Sequence, residues 1–156
     1  SYDGADASFE LLARRIIGEI PRYISIQEYD VSVKKNSMGE IISLAKAQLE
    51  VDGEKIICEG EGNGPVNALD NAIRQNVDRL AKYSNYLKDL KLVDYKVRIL
   101  NTGTEAVTRV SIESADSKGK NWFTIGVSAN IIDASFKALV DSLDYKLFKD
   151  NAPASL

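Results

Sequence analysis

Three glycines at alternate positions, Gly60, Gly62 and Gly64, stand between a strand-like run and an apolar pattern of helical period. Pro65 follows them, and proline suits the first turn of a helix, where its missing N–H costs no hydrogen bond. Glycine lets the backbone take a positive φ or approach a ligand closely. The stretch therefore predicts a strand, a glycine turn and an open helix N-terminus that suits a carboxylate or phosphate. The plain alternative is that the glycines only shape a tight turn.

Histidine is absent from the 156 residues, and Cys58 is the single cysteine. The chain therefore lacks the commonest general base and metal ligand, which excludes a Ser-His-Asp or Cys-His site within it. We predict no catalytic residue, no metal site and no cofactor. Cys58 falls in an apolar strand pattern, so we expect a buried and unreactive thiol.

The composition is that of a globular domain, with 44% hydrophobic and 28% charged residues. The net charge is −3, and lysines and arginines are scattered among the acids, which argues against nucleic acid as a partner. No apolar run approaches the roughly 20 residues of a membrane span, and no secretory leader is recognisable. Because no disulfide can form within the chain, we expect a cytoplasmic protein.

The segment at residues 1–21 predicts a separate short helix. Phe9, Leu12 and Ile16 recur at helical spacing, and Gly18 stands where the helix would end. A short helix with one apolar face needs a surface to pack on. That surface is either the rest of this chain or a part of a longer parent protein.

Three strands and a second helix are predicted next. Alternating apolar residues indicate strands near residues 29–33, 41–51 and 55–59, with turns at 36–39 and 52–53. Asp70 should lie on the outward face of the helix that follows the glycine turn. Its inward stripe is predicted at Val66, Leu69, Ile73, Val77 and Leu80.

The same order recurs about 66 residues later, with strands near residues 95–99, 108–112 and 121–125, a turn at 126–130 and an amphipathic helix. Gly60 then matches Gly126, and Asn67 matches Asp133. The sequence therefore predicts an α+β fold of two pseudo-symmetric β-β-β-α units, preceded by a short linker helix. We expect the linker at 1–22, a domain at 23–150 with units 23–86 and 90–150, and a frayed tail at 151–156.

Five segments carry a specific resemblance: YDGADASFELL at 2–12, GNGPVNALDNAI at 62–73, LVDYKVRIL at 92–100, TRVSIES at 108–114 and GVSANIIDASFKALVDSLDYKL at 126–147. The last four closely resemble the C-terminal regulatory domain of the 2-isopropylmalate synthase and citramalate synthase family. The first is similar to the end of the linker subdomain that precedes that domain. The variants LVDYKVRIL, TRVSIES and SLDYKL are more similar to the citramalate branch than to the leucine-regulated one.

The resemblance implies a homodimer that binds the pathway's end-product amino acid, isoleucine in the citramalate branch and leucine in the other. It also implies a catalytic TIM barrel in the parent chain, which condenses acetyl-CoA with a 2-oxo acid at a divalent metal held by histidines and a carboxylate. A chain of 156 residues without histidine cannot contain that barrel. We therefore expect no enzyme activity in this chain itself.

The resemblance assigns the effector pocket to both turns and to the strand that opens the second unit. The free N–H groups of the first turn would bind a carboxylate, and turn carbonyls, Asn67 or Asp133 would accept from an ammonium group. The alternative for Leu92 and Ile99 is plain core, and Tyr95 could simply cap the sheet with its hydroxyl exposed. The positions are Asn63, Gly64, Pro65, Val66 and Asn67 in the first turn, Ser128 and Ala129 in the second, and Leu92, Tyr95 and Ile99 on the strand.

Two other functions stay open from the residues. A helix, three strands and a helix also resembles a double-stranded RNA-binding module, which the acidic balance opposes. A purely structural dimerisation domain without a ligand is the other alternative. Binding of isoleucine, leucine or valine would distinguish the regulatory function from both.

Overall fold

The computed structural model describes residues 6–156, apart from the side chain of residue 102. It has the predicted α+β fold, in which two β-β-β-α units follow a short helix. Short 3₁₀ helices at Val77–Arg79 and Ala81–Tyr83 lie between the units. The elements are α1 (Asp6–Ile16), β1 (Ser25–Lys35), β2 (Ile41–Val51), β3 (Glu54–Gly62), α2 (Pro65–Arg74), α3 (Ser84–Leu87), β4 (Lys91–Thr102), β5 (Glu105–Ala115), β6 (Asn121–Ser128) and α4 (Ile131–Lys149).

Each unit is an antiparallel three-stranded sheet with its helix across the last two strands. α2 packs on β2 and β3, α4 packs on β5 and β6, and the two helices also pack against each other. Apolar and polar residues alternate along β2, so that Ala45, Ala47 and Leu49 face the helix and are buried. The two units therefore share one hydrophobic core.

The glycines of the first unit allow its helix to lie close to its sheet. β3 continues through Gly60 and Gly62, so the turn consists of residues 63–64 only and is shorter than predicted. Neither residue has a positive φ. A Cβ atom on Gly60 would lie 2.7 Å from Cα of Ala72, and a Cβ on Gly62 would lie 2.5 Å from N of Ala68. Close approach is therefore the reason for these glycines.

Gly126 is the counterpart of Gly60 in the second sheet. Gly60 stands opposite Ala45 and Gly126 stands opposite Val110 in the strand registers. A Cβ on Gly126 would lie 2.8 Å from N of Ala138, so α4 approaches its sheet as closely as α2 does. The predicted repeat is thus present in the packing as well as in the order of elements.

The predicted extension of α2 through Leu80 was wrong. The helix ends at Arg74, and the Asn76 side chain donates to the carbonyl oxygens of Ala72 at 2.8 Å and Glu59 at 3.0 Å. The bond to Ala72 satisfies a carbonyl group that a longer helix would satisfy itself, and the bond to Glu59 joins the end of the helix to β3. Leu80 is fully buried all the same, in the 3₁₀ region.

The apolar face that the sequence predicts for α1 is largely exposed in the described part of the chain. Phe9, Leu12 and Ile16 are 72%, 56% and 76% exposed, whereas Ala7 and Leu11 are buried. The helix lies on α4 and β6 through the opposite side, which combines the buried Ala7 and Leu11 with the polar contacts of Ser8 and Arg15. The first five residues of the predicted linker lie outside the described residues.

The C-terminal tail is docked and is not frayed as predicted. Ser155 N donates to Arg22 O at 2.8 Å, and Leu156 N donates to the Asp52 carboxylate at 2.8 Å. Tyr83 and Lys82 donate to carbonyl oxygens of the tail at 2.7 and 2.6 Å. The chain that leaves α4 therefore returns to the β2–β3 hairpin of the first unit.

Candidate functional site

The entrance to α2 presents backbone donors without a side-chain cap. Gly64 is the N-cap residue, with extended backbone at φ −176° and ψ 172°, and Pro65 at the first helical position has no N–H. The first helical hydrogen bond runs from Ala68 N to Gly64 O. The N–H groups of Val66 and Asn67 donate to no other group among the described residues. These free N–H groups can therefore bind an anion at the entrance to α2.

The amide oxygen of Asn67 holds the preceding turn, since it accepts from the backbone N–H of Asn63 at 3.3 Å. Asn63 itself is exposed, Gly64 and Pro65 are half-buried, and Val66 is buried. The structure thus places the five predicted residues of the first turn around the helix entrance, and of these only Val66 is buried.

The entrance to α4 is closed by its own side chains. Asn130 is its N-cap residue, and the amide oxygen accepts from the N–H groups of Ile132 at 2.8 Å and Asp133 at 3.2 Å. Ser128, a predicted site residue, accepts from Asn130 N at 3.2 Å and donates to the Asp133 carboxylate. Ala129, also predicted, is exposed.

The Asp133 carboxylate, considered above as an acceptor for an ammonium group, already has partners. Besides Ser128, it accepts from the Tyr29 hydroxyl at 3.0 Å and pairs with Lys137 at 3.1 Å. The hydrogen bond from Ser128 first, and then those with Lys137 and Tyr29, hold the pKa of Asp133 below its usual value. Asp133 therefore stabilises the contact between α4 and β1.

The predicted strand residues of the second unit lie on the helix-facing side of β4. Tyr95 pairs with Ile112 and Ile99 pairs with Thr108 in the register with β5. Tyr95 is 38% exposed and Ile99 70% exposed, so Ile99 is not the plain core residue considered above. They form an apolar wall that no element of the described chain covers fully.

Leu92 lies before a bulge in β4 and is half-buried against the core. It lines a cavity of about 40 Å³ together with residues of α2, α4 and the connection that follows α2. Tyr95 and Ile99 are not among the residues that line this cavity. The structure therefore separates Leu92 from the two more exposed positions.

Asp70 is a residue of this region that the sequence reasoning missed, because its position was predicted to face outward. Its side chain is only 16% exposed, lines the cavity beside Leu92 and pairs with Arg74 at 2.9 Å. Burial raises its pKa even though Arg74 opposes the shift. The repeat carried the signal, since Asp70 corresponds to the inward-facing Phe136 of α4.

The described part of the chain holds no cluster of potential metal ligands, and its cysteine is buried. Residues 6–156 contain no group of three or more histidine, cysteine, aspartate or glutamate side chains that could hold a metal ion. Cys58 is buried, and burial raises the pKa of its thiol, as expected for an unreactive side chain. Within the same residues, no helix combines the length and the apolar character that a membrane span requires.

Comparison with protein families assigns the chain to the allosteric dimerisation domains. Residues 3–147 match the family model described as the LeuA allosteric (dimerisation) domain, and the chain belongs to that family. It is 45% identical over 151 residues to the (R)-citramalate synthase of Geobacter sulfurreducens, and 45% identical over 152 residues to that of Aquifex aeolicus. These alignments cover 95% and 96% of this chain but 28% of each relative.

A 2-isopropylmalate synthase, from Clostridium acetobutylicum, is 37% identical over 106 residues, which is 67% of this chain and 17% of that protein. The resemblance to the isopropylmalate and citramalate synthase family is therefore confirmed. The chain spans little more than a quarter of the length of the citramalate synthases that it matches.

Proposed function

We propose that this chain is the effector-binding and dimerisation region of a citramalate or 2-isopropylmalate synthase, and that it binds isoleucine or leucine. The parent enzyme would condense acetyl-CoA with a 2-oxo acid in a separate TIM barrel, in the cytoplasm. Two copies of this chain would form the homodimer. The similarity to citramalate synthases favours isoleucine over leucine.

The difference between the two helix entrances supports this proposal most directly. Asn130 fills the α4 entrance with its own amide oxygen, whereas Gly64 at the corresponding place offers no side chain. Ile132 and Asp133, which donate to Asn130, correspond to Val66 and Asn67. An effector carboxylate would take the place at α2 that the amide oxygen of Asn130 occupies at α4.

The remaining predicted residues suit the other parts of an amino acid. Tyr95 and Ile99 expose apolar surface for an aliphatic side chain, which contributes about 1.5–3 kcal/mol when buried. Asn67 and carbonyl groups of the turn offer acceptors to the ammonium group, and each charged hydrogen bond contributes about 1.5–3 kcal/mol. After the costs of association, micromolar to millimolar affinity is expected.

Calorimetry and thermal unfolding with isoleucine, leucine and valine test the proposal. One of these amino acids should bind and raise the melting temperature at millimolar concentration, because a ligand of the native state stabilises it. The enantiomer D-isoleucine is the matched control and should have no effect. Absence of stabilisation by all three would contradict an effector site in this chain.

A dimerisation domain without a ligand is the second candidate. The cavity beside Leu92 has a volume of only about 40 Å³, which is too small for a branched aliphatic side chain without movement of the chain. In that case sedimentation would reveal a dimer whose stability is indifferent to all three amino acids.

A further inference from the structure

Two grooves of the protein correspond to each other through the internal repeat, yet one is open and the other is filled. The open groove lies between the start of β1 and α4 and has a volume of about 570 Å³. The filled groove is the cavity of about 40 Å³ between the start of β4 and α2. Corresponding lining positions in the open and filled grooves are Ile26 and Leu92, Phe136 and Asp70, and Val140 and Arg74.

The chain itself fills the second groove. Val77, Leu87 and Leu90, from the short helical connection that follows α2, line the cavity and reduce its volume. After α4 the chain instead runs to the β2–β3 hairpin, where Leu156 bonds to Asp52. Within residues 6–156 the open groove therefore has no such cover, and its counterpart indicates what would fit: a helical segment with leucine-sized side chains.

α1 carries an apolar face of that kind. Phe9, Leu12 and Ile16 are more than half exposed, and their spacing of three and four residues is that of a helix seam. The opposite side of α1 is attached by polar contacts, including Arg15 to Asp141 at 2.9 Å. Arg15 and Asp141 also line the open groove, so the apolar face of α1 and the groove belong to neighbouring parts of one surface.

We propose that α1 of a second copy of this chain lies in the open groove, and that the exchange is reciprocal about a two-fold axis. A two-fold interface requires a self-complementary surface, and α1 together with the groove provides both the helix and its receptor. Phe9, Leu12 and Ile16 would then pack against Ile26 and Val140. The inference rests on the homodimer of the proposed function and names one of its contacts.

Cross-linking between two separately purified variants tests this contact. Leu12→Cys and Val140→Cys are mixed in equal amounts under mild oxidation, and we expect a disulfide-linked dimer that contains one chain of each kind. Ser37→Cys mixed with Val140→Cys is the matched control. Ser37 is exposed on the β1–β2 turn, which follows the end of β1, whereas the groove lies at the start of that strand. Cys58 is buried in every variant and should not react.

Sedimentation of Leu12→Asp gives a second measurement that does not depend on disulfide geometry. We expect at least a ten-fold weaker dimer, whereas Met38→Asp, at an exposed apolar residue of the β1–β2 turn, should leave the dimer unchanged. A stable dimer without the cross-link, or one unaffected by Leu12→Asp, would overturn the inference and leave the proposed homodimer intact. A monomeric unmodified chain would overturn both, and binding of isoleucine is measured independently of either.

Discussion

Tyr29 of β1 lies flat against Phe136 of α4, with ring centroids 4.0 Å apart and ring planes 7° apart. The Tyr29 hydroxyl also donates to Asp133, so the first strand of one unit is fixed to the helix of the other. The repeat gives Tyr95 and Asp70 as the corresponding residues. Asp70 cannot stack on a tyrosine ring, and Tyr95 remains 38% exposed.

Alanine at the two corresponding tyrosines should therefore have different effects on stability and on ligand binding. Tyr29→Ala should lower the free energy of unfolding by roughly 2–4 kcal/mol, since it removes a stacked ring and a hydrogen bond. Tyr95→Ala should cost less than about 1 kcal/mol and abolish the thermal shift with isoleucine or leucine. Denaturant unfolding and thermal shift measure the two quantities. Equal destabilisation, or a ligand effect retained by Tyr95→Ala, would contradict the assignment.

Gly64→Asn should close the effector site by supplying the cap that α4 already has. The position accepts a side chain, because its backbone is extended and a Cβ would have no atom within 4 Å. An asparagine cap in place of glycine should stabilise α2 by a few tenths of a kcal/mol. Its amide oxygen would occupy the N–H groups of Val66 and Asn67, so calorimetry should detect at least ten-fold weaker binding.

The matched control is Gly64→Ala, which adds a Cβ without an acceptor and should retain most of the affinity. In the other unit, Asn130→Ala should cost about 1 kcal/mol of stability and leave effector binding unchanged. If Gly64→Asn binds isoleucine as tightly as the original chain, the carboxylate does not bind at the α2 entrance.

The sheets, their hairpins and the repeat could be predicted because they depend on local patterns. Alternation along β2 and the Asp52–Gly53 turn define strands that the register confirms, and the offset of 66 residues is visible in the glycines. The role of those glycines was only partly predictable. Sequence indicates that Gly60 is needed, but only the distance to Ala72 distinguishes close helix packing from a positive φ.

The orientation of α1 could not be predicted, because a helical pattern identifies an apolar face without telling which side packs within the chain. Hydrogen bonds of Ser8 help to fix the orientation of α1. The Ser8 hydroxyl accepts from Ile125 N at 2.9 Å and donates to Asp141 at 2.8 Å, and these partners lie more than a hundred positions away in the sequence. The same applies to the tail, whose order depends on distant groups such as Asp52 and Arg22.

Gly60→Ala and Gly126→Ala test whether close packing of helix on sheet determines these residues. Each added methyl group would overlap backbone atoms of the helix above it, and we expect a loss of about 1–3 kcal/mol in the free energy of unfolding. Gly64→Ala, with open space around its Cβ, is the matched control and should be nearly neutral. Unfolding in urea measures all three, and a neutral Gly60→Ala would show that α2 can shift away from β3 freely.

Because of Asp144 of α4, we expect the free energy of unfolding to depend on pH near neutrality. The Asp144 side chain is 16% exposed and accepts from Arg15 at 2.8 Å. Burial raises the pKa of Asp144 to about 7, with a further contribution from the neighbouring Asp141 carboxylate, although Arg15 acts in the opposite direction. The native state therefore holds a proton that the unfolded chain has already released at pH 6.

Because the pKa of Asp144 is raised in the native state, its contribution to stability falls as pH rises from about 5 to about 7. Asp144→Asn keeps the shape without the titration, so the free energy of unfolding of this variant should fall less over that interval. Urea unfolding at a series of pH values in constant salt measures the slopes. Asp78→Asn, at an exposed carboxylate of a 3₁₀ helix, is the control and should retain the original slope. Parallel slopes for the original chain and Asp144→Asn would mean that Asp144 is already ionised at pH 5 in the native protein.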